Sequence, residues 1–391
     1  MRHKNLVRVS ALVAVSAIAL SACASKSKGT ASAGKPTIEI GVQGPLSGAN
    51  QALGINEDWG VKLAVSQANA KGDLPFTLAV KDSDDIGDQA HGADAARLLI
   101  QDPKVLGVIG PAFSGPTKAS GALYATANLV AISPSATNVK LTSSGFSSFF
   151  RVVPPDSAQG SSAADYMAKA LKATKVYLVD DKTDYGVGLA GNIKDELVKD
   201  GVTVVSDSVA QKTSDYSQIA GKVQASGAQA MYYAGYYADG GVFAKALLQA
   251  GYKGKMISGD GSKDPQFLTT AGQQAAEGWQ FTCPCGDPNV DPKDAQFTTD
   301  YTAYAKAAPG TYSLEAYDAA NALISVLKAG GTGNTRASVL AGVKTVDWAG
   351  LSKEIKFQPN GEVVGTGIFV YEFKSGKLML AGTVDTLTAG G

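Results

Sequence analysis

Short runs of β-branched and aromatic residues alternate along the chain with stretches of helical spacing. The strand-like runs fall into two series. The first comprises Thr37 to Val42, Phe76 to Lys81, Val105 to Ile109 and Leu129 to Ile132. The second comprises Lys175 to Val179, Val202 to Val209, Ala230 to Ala234, Lys255 to Ile257 and Gly278 to Thr282. Helical periodicity is clearest at Leu314, Tyr317, Ala320, Ile324 and Leu327. Strand and helix in alternation predict parallel βαβ units, hence an α/β fold, and the two series read as two copies of one architecture. Pro154-Pro155 closes the first series, and Pro284, Pro288 and Pro292 close the second. Two further helices, Glu354 to Phe357, a break at Pro359-Asn360-Gly361 and a hairpin of Val363 to Phe373 with Lys377 to Ala381 complete the pattern. Three breaks let the chain cross three times between two lobes, predicted as 36–153 plus 284–357 and 154–283 plus 358–391. A hinge of that kind permits closure around a ligand.

The N-terminus has its own pattern. Arg2, Lys4 and Arg8 precede the apolar run Ala11 to Leu20, which is too short to span a bilayer, and Leu20-Ser21-Ala22-Cys23 follows. Residues 1–22 read as a signal peptide, and Cys23 resembles the acylated cysteine of a bacterial lipobox. Residues 23–35 then form a flexible tether of Ser, Gly, Thr, Ala and Lys. The expected location is the outer face of a cell membrane, anchored through Cys23.

Composition narrows the chemistry. Charged residues are 18% of the chain, and 35 basic residues balance 35 acidic ones. Loss of residues 1–22 would remove three basic residues and no acid, leaving a weakly acidic chain with no basic run for nucleic acid. His91 would then be the one histidine, in a helical-looking charged segment, and no Gly-x-Ser-x-Gly elbow accompanies it. Cys283 and Cys285 flank Pro284 and can either bridge or stay as two thiols; without nearby His they make no zinc site. No catalysis, metal or cofactor is expected.

Three motif matches fail on context. Gly29 to Lys35 has a P-loop spacing, but Pro36 stands where Ser or Thr is required and no strand precedes it. Asp82, Asp84 and Gly87 resemble a calcium loop in which Ile86 and Ala93 occupy ligand positions. Gly186, Gly188 and Gly191 follow a strand-like run, but four residues too late for a dinucleotide turn.

In open parallel sheets, ligands bind beyond the carboxyl ends of the strands. Those positions here are polar and aromatic: Phe113, Ser114 and Thr117; Ser135, Ala136 and Thr137; Tyr185; Tyr236; Asp260. Ser114 and Thr117 open a helix, where free N–H groups favour a carboxylate, or serve only as caps. Ser135 and Thr137 offer a carbonyl and a hydroxyl, or cap a turn. Tyr185 and Tyr236 give apolar walls with polar tips. Asp264-Pro265 already supplies the cap and first residue of the next helix, which leaves Asp260 for a cation. Donors in one lobe and an acid in the other suit a zwitterion, most simply an α-amino acid.

Gly44-Pro45-Leu46-Ser47-Gly48, Tyr185-Gly186-x-Gly188-Leu189-Ala190 and Tyr232-Tyr233-Ala234-Gly235-Tyr236 resemble the leucine/isoleucine/valine-binding proteins of ABC importers. The similarity runs over residues 37 to 385. It implies α/β architecture with two Rossmann-like lobes, their parallel sheets joined by a three-segment hinge, the type I periplasmic binding protein fold. It also implies a monomer that works with separate permease and ATPase subunits. By the same resemblance Ser114 and Thr137 would hold a ligand carboxylate, and Ser135, Thr137 and Asp260 its ammonium. Phe113, Tyr185, Tyr236, Leu53 and the Ser135-Ala136-Thr137 loop would line the pocket. Three departures bear on specificity: Asp260 replaces a longer Glu, Leu53 stands where an aromatic is usual, and the common first-lobe disulfide is missing. Relatives of this framework also bind amides, urea and aromatic acids.

Overall fold

The computed structural model describes residues 34–389, so residues 1–22, expected to be a signal peptide, and Cys23 lie outside the described residues. Five strands form the first sheet: β1 (Thr37–Gly44), β2 (Thr77–Asp84), β3 (Val105–Ile109), β4 (Val130–Ser133) and β5 (Phe149–Arg151). Their order is β2-β1-β3-β4-β5, and all pairs are parallel. The next five are β6 (Lys175–Asp180), β7 (Thr203–Ser208), β8 (Ala230–Ala234), β9 (Lys255–Ser258) and β10 (Gln280–Cys283). They repeat the same order, β7-β6-β8-β9-β10, again parallel. After a two-stranded ribbon of β11 (Asp347–Ala349) and β12 (Glu354–Lys356), β13 (Phe369–Lys374) and β14 (Lys377–Thr383) extend the second sheet antiparallel beyond β10.

The central strands β3 and β8 are buried at every position, as expected where helices cover both faces of a parallel sheet. Side-chain caps start the helices Gln89–Ile100 (Asp88), Asp184–Lys199 (Thr183) and Pro265–Ala271 (Asp264). The chain leaves the second sheet after β10 and returns to the first lobe, where helix Ser313–Gly330 lays Ala316, Ala320, Leu323 and Leu327 in one core with Ile40, Val42 and Ile132. Close approach is possible because Gly60 faces this helix: a Cβ there would sit 2.4 Å from the Ser313 carbonyl oxygen.

The first and third crossings are tied by one buried ion pair. Arg151, at the end of β5, donates from Nε to Glu362 Oε2 at 2.7 Å and from Nη2 to Oε1. Its Nη1 donates to the carbonyls of Ala136 (3.1 Å) and Asn138 (2.9 Å). The guanidinium therefore holds the loop after β4 as well as the segment leading to β13.

Several expectations need correction. β5 lies where the first series was expected to have ended; three residues between a Gly/Ser-rich turn and a double proline carry too little pattern to read. Three helices, Ala295–Ala305, Ser313–Gly330 and Arg336–Val343, precede β12 rather than two. The hairpin begins at Phe369, and Val363 makes only an isolated bridge to Phe357. Cys283 and Cys285 form a disulfide, the first of the two alternatives. Among the described residues no helix is long and apolar enough to cross a membrane.

Arg151→Met should cost about 3–5 kcal/mol, because it strands Glu362 with 8% exposure and no cation. Arg151→Met with Glu362→Leu should regain most of that loss. Denaturant midpoints decide it: a double variant as unstable as the single one would mean that packing, not charge, holds the crossing.

Candidate binding site in the interlobe cleft

In each sheet the connections diverge to opposite sides at one place, between β1 and β3 and between β6 and β8, and leave a crevice at the carboxyl ends. Leu53 sits in the first turn of helix Gln51–Lys71 after β1. Phe113 and Ser114 begin helix Ser114–Thr126 after β3, and Ser135 follows β4. In the second lobe Tyr185 opens the helix after β6, Tyr236 precedes helix Tyr237–Gln249 after β8, and Asp260 starts the turn Asp260–Ser262 after β9. These seven residues, with Ala112, Gly261 and Tyr312, line one cavity. Its empty volume is about 220 Å³, of which the centre of a water molecule can reach about 10 Å³.

Asp260 is 3% exposed. Its Oδ1 accepts from the Tyr185 hydroxyl at 2.8 Å and its Oδ2 from the Tyr312 hydroxyl at 2.7 Å. Burial pushes its carboxyl above the ordinary range, and the hydroxyl hydrogen bonds oppose the shift in part. Asp264 caps the next helix by accepting from Gln266 N–H, so Asp260 has no capping duty. No cationic side chain is among the residues lining the cavity.

In the facing lobe, helix Ser114–Thr126 has no side-chain cap on its leading N–H groups, and the Ser114 hydroxyl accepts from Asn138 N–H at 3.3 Å. Ser135 donates to the Ala112 carbonyl at 2.7 Å. The rest of that loop is not on the cavity wall. Ser133 Oγ accepts from the N–H groups of Ser135 and Ala136, a turn that sends Ser135 inward and folds Ala136 and Thr137 behind it. Ala136 packs on Leu141 and Phe149 and gives its carbonyl to Arg151, and Thr137 lies beside Asp156. Thr117 is committed to the backbone, donating to the carbonyls of Phe113 (2.8 Å) and Pro111 (3.2 Å).

One residue of the cavity wall, Tyr312, escaped the strand-end rule, and so did two buried acids near it, Glu57 by Ser135 and Asp156 by Asp260. Tyr312 comes from the returning segment, at φ 69° ahead of helix Ser313–Gly330. Glu57 lies one turn after Leu53 on the same helix face, a spacing that was readable. It is 2% exposed, and burial holds its carboxyl well above the ordinary value. Asp156, the first residue of helix Asp156–Asp165, is fully buried with both carboxylate oxygens unpartnered. Burial, helped by the charge of Asp260, pushes it up to about 7. His91 is exposed on its helix, and Gly186 to Gly191 lie within helix Asp184–Lys199. Among the described residues no cluster of three metal-ligating side chains occurs.

The two lobes meet around the cavity. Lys118 pairs with Asp184 at 2.8 Å, Asn138 Nδ2 donates to the Asp184 carbonyl at 2.5 Å, and Ala52 N–H donates to the Tyr237 hydroxyl at 3.1 Å. Two sheets of one topology, three crossings and a cavity at both switch points are the features by which proteins that close on a solute are recognised. A family profile described as Periplasmic binding protein matches residues 37–377.

The chain belongs to this family.

Among the relatives of this periplasmic binding protein, the amino acid binding protein of Pseudomonas aeruginosa is 28% identical over 339 residues, 86% of this chain and 90% of that one. Leu/Ile/Val-binding protein homolog 3 of Brucella melitensis is 32% identical over 256 residues, 65% and 69% of the two chains. The branched-chain amino acid transporter substrate binding protein LivJ of Streptococcus pneumoniae, solved in complex with isoleucine, superposes with a TM-score of 0.81 at 28% identity, covering 89% of this chain and 99% of that one. The two-lobed architecture is therefore the type I periplasmic binding protein fold.

Asp156 makes the stability of this binding protein depend on pH. Its carboxyl moves from an ordinary 3.8 to about 7, so between these values the folded state holds a proton that the unfolded state has lost, and stability falls as pH rises through that window. Asp156→Asn should therefore match the parent near pH 4 and exceed it by on the order of 4 kcal/mol at pH 8. Thermal midpoints across this range test it; parallel pH profiles would show that Asp156 carries no buried charge.

Proposed function

We propose that this protein is an extracytoplasmic receptor that captures an amino acid between its two lobes and delivers it to an ABC importer, breaking no bond. The observation that carries the reading is the buried Asp260 carboxylate facing, across one cavity, the uncapped start of helix Ser114–Thr126. An acid on one side and free N–H groups on the other suit the ammonium and carboxylate of a zwitterion. In this reading Ser135 assists Asp260, while Leu53, Phe113, Tyr185 and Tyr236 wall the side chain. Support also comes from relatives whose names state Leu/Ile/Val binding and from LivJ with isoleucine. Closure shifts the lobe equilibrium by the difference in ligand affinity between open and closed forms. Permease and ATPase would be separate chains that meet the closed monomer at the membrane, where Cys23 anchors it.

One observation favours a second ligand class. Both oxygens of Asp260 already accept from tyrosine hydroxyls, and a carboxyl with a raised pKa can donate as well as accept. A neutral amide fits such a group better than an ammonium does.

Thermal unfolding against leucine, isoleucine, valine, their amides and their deaminated analogues separates the two. A ligand at about a hundred times its dissociation constant adds about 2.7 kcal/mol, a visible shift in midpoint. The expected result is a shift with the amino acids, none with the deaminated analogues, and loss of the shift in Asp260→Ala. A shift that survives Asp260→Ala would sink the ammonium assignment, and a response to amides alone would favour the second class. For the anchor, Cys23→Ser should move the protein from the membrane fraction into the soluble extracytoplasmic fraction; unchanged partition would refute lipidation at Cys23.

A further inference from the structure

Phe113 and Tyr236 occupy matching places in the two lobes. Each immediately precedes the helix that follows a switch-point strand, β3 or β8. Their backbones are nearly the same, φ −102° and ψ 149° at Phe113 against φ −99° and ψ 160° at Tyr236, and neither caps its helix through its side chain. The two rings meet across the cleft with centroids 4.2 Å apart and planes 27° from parallel. Tyr185 backs Tyr236 at 5.2 Å.

The stack is also a partition. Both rings line the inner cavity that holds Asp260, and both line an outer cleft walled by Gln89, Lys140, Asp184 and Asn192, where the empty volume is about 1350 Å³. Space for each ring depends on a glycine. A Cβ at Gly87 would lie 2.9 Å from Phe113 Cε2, and one at Gly261 would lie 3.1 Å from Tyr236 Cδ1. The Phe113 carbonyl, accepting from both the Thr117 N–H (3.0 Å) and hydroxyl (2.8 Å), fixes that residue within its own lobe. The nearby Lys118–Asp184 pair is half exposed on the lysine side and contributes little by comparison.

We propose that Phe113 and Tyr236 form an interlobe latch: the stack assembles only on closure, seals the inner cavity from the outer cleft and sets the rate at which ligand leaves. The effect on ligand release rests on the amino-acid reading above; the effect on closure does not. Phe113→Leu and Tyr236→Leu keep apolar bulk and remove the stack. Each should lower the closed fraction about five-fold, and the double variant should lower it little more than either alone, because the second substitution has no stack left to break.

Closure is read without ligand as the rate of bismaleimide cross-linking between K118C and D184C, which approach only when the lobes close. Release is read as dissociation of radiolabelled isoleucine, which should quicken about five-fold in each single variant. Single-variant effects that multiply in the double variant, or cross-linking rates equal to the parent, overturn the latch. If isoleucine fails to bind the unsubstituted protein, the amino-acid reading falls, and cross-linking alone decides the latch.

Discussion

A carboxylate taken out of water without a cation beside it must be met by donors, and Asp260 meets that requirement from two directions. Tyr185 belongs to the helix after β6 in its own lobe. Tyr312 precedes the helix packed on the first sheet. One hydroxyl is thus intrinsic to the second lobe, while the other arrives from the returning segment. Any ligand cation that approaches Asp260 competes with hydroxyls already in place, so affinity depends on how far those tyrosines yield.

Most of what positions this acid was legible from short-range pattern. Alternating strand and helix, with the rule that ligands gather beyond strand ends, led to Ser114, Ser135, Tyr185, Tyr236 and Asp260, and all five line the cavity. Asp264-Pro265 showed why Asp260 was free of capping duty. Tyr312 was not legible by that route, since no strand precedes it and only the return of the chain through the second crossing brings it near. Ala136 and Thr137 illustrate the opposite failure. They sit at a strand end, yet the Ser133 hydroxyl bends the loop so that only Ser135 points inward, a turn that residue type alone does not specify.

The hinge shows the same division between local and distant causes. Prolines mark the crossings in the sequence because they interrupt regular structure. The partner that steadies them does not announce itself: Arg151 and Glu362 are 211 residues apart, and nothing near either predicts the other. Once paired, they fix the loop after β4 through two carbonyls, so the placement of Ser135 depends on an ion pair at the crossing as well as on the Ser133 hydroxyl beside it.

Duplication of topology has a physical consequence for the cleft. When two sheets of one strand order meet through their carboxyl edges, the residue before the helix at one switch point comes opposite its counterpart at the other. Small polar residues there would leave the cleft wet, and two charged residues of one sign would repel on closing. Two aromatic rings attract across the gap, and their flat faces tolerate the small sliding that closure around ligands of different size would demand. Matching backbone angles at Phe113 and Tyr236 are what one expects if the stack follows from this repetition, with Gly87 and Gly261 leaving the room it needs.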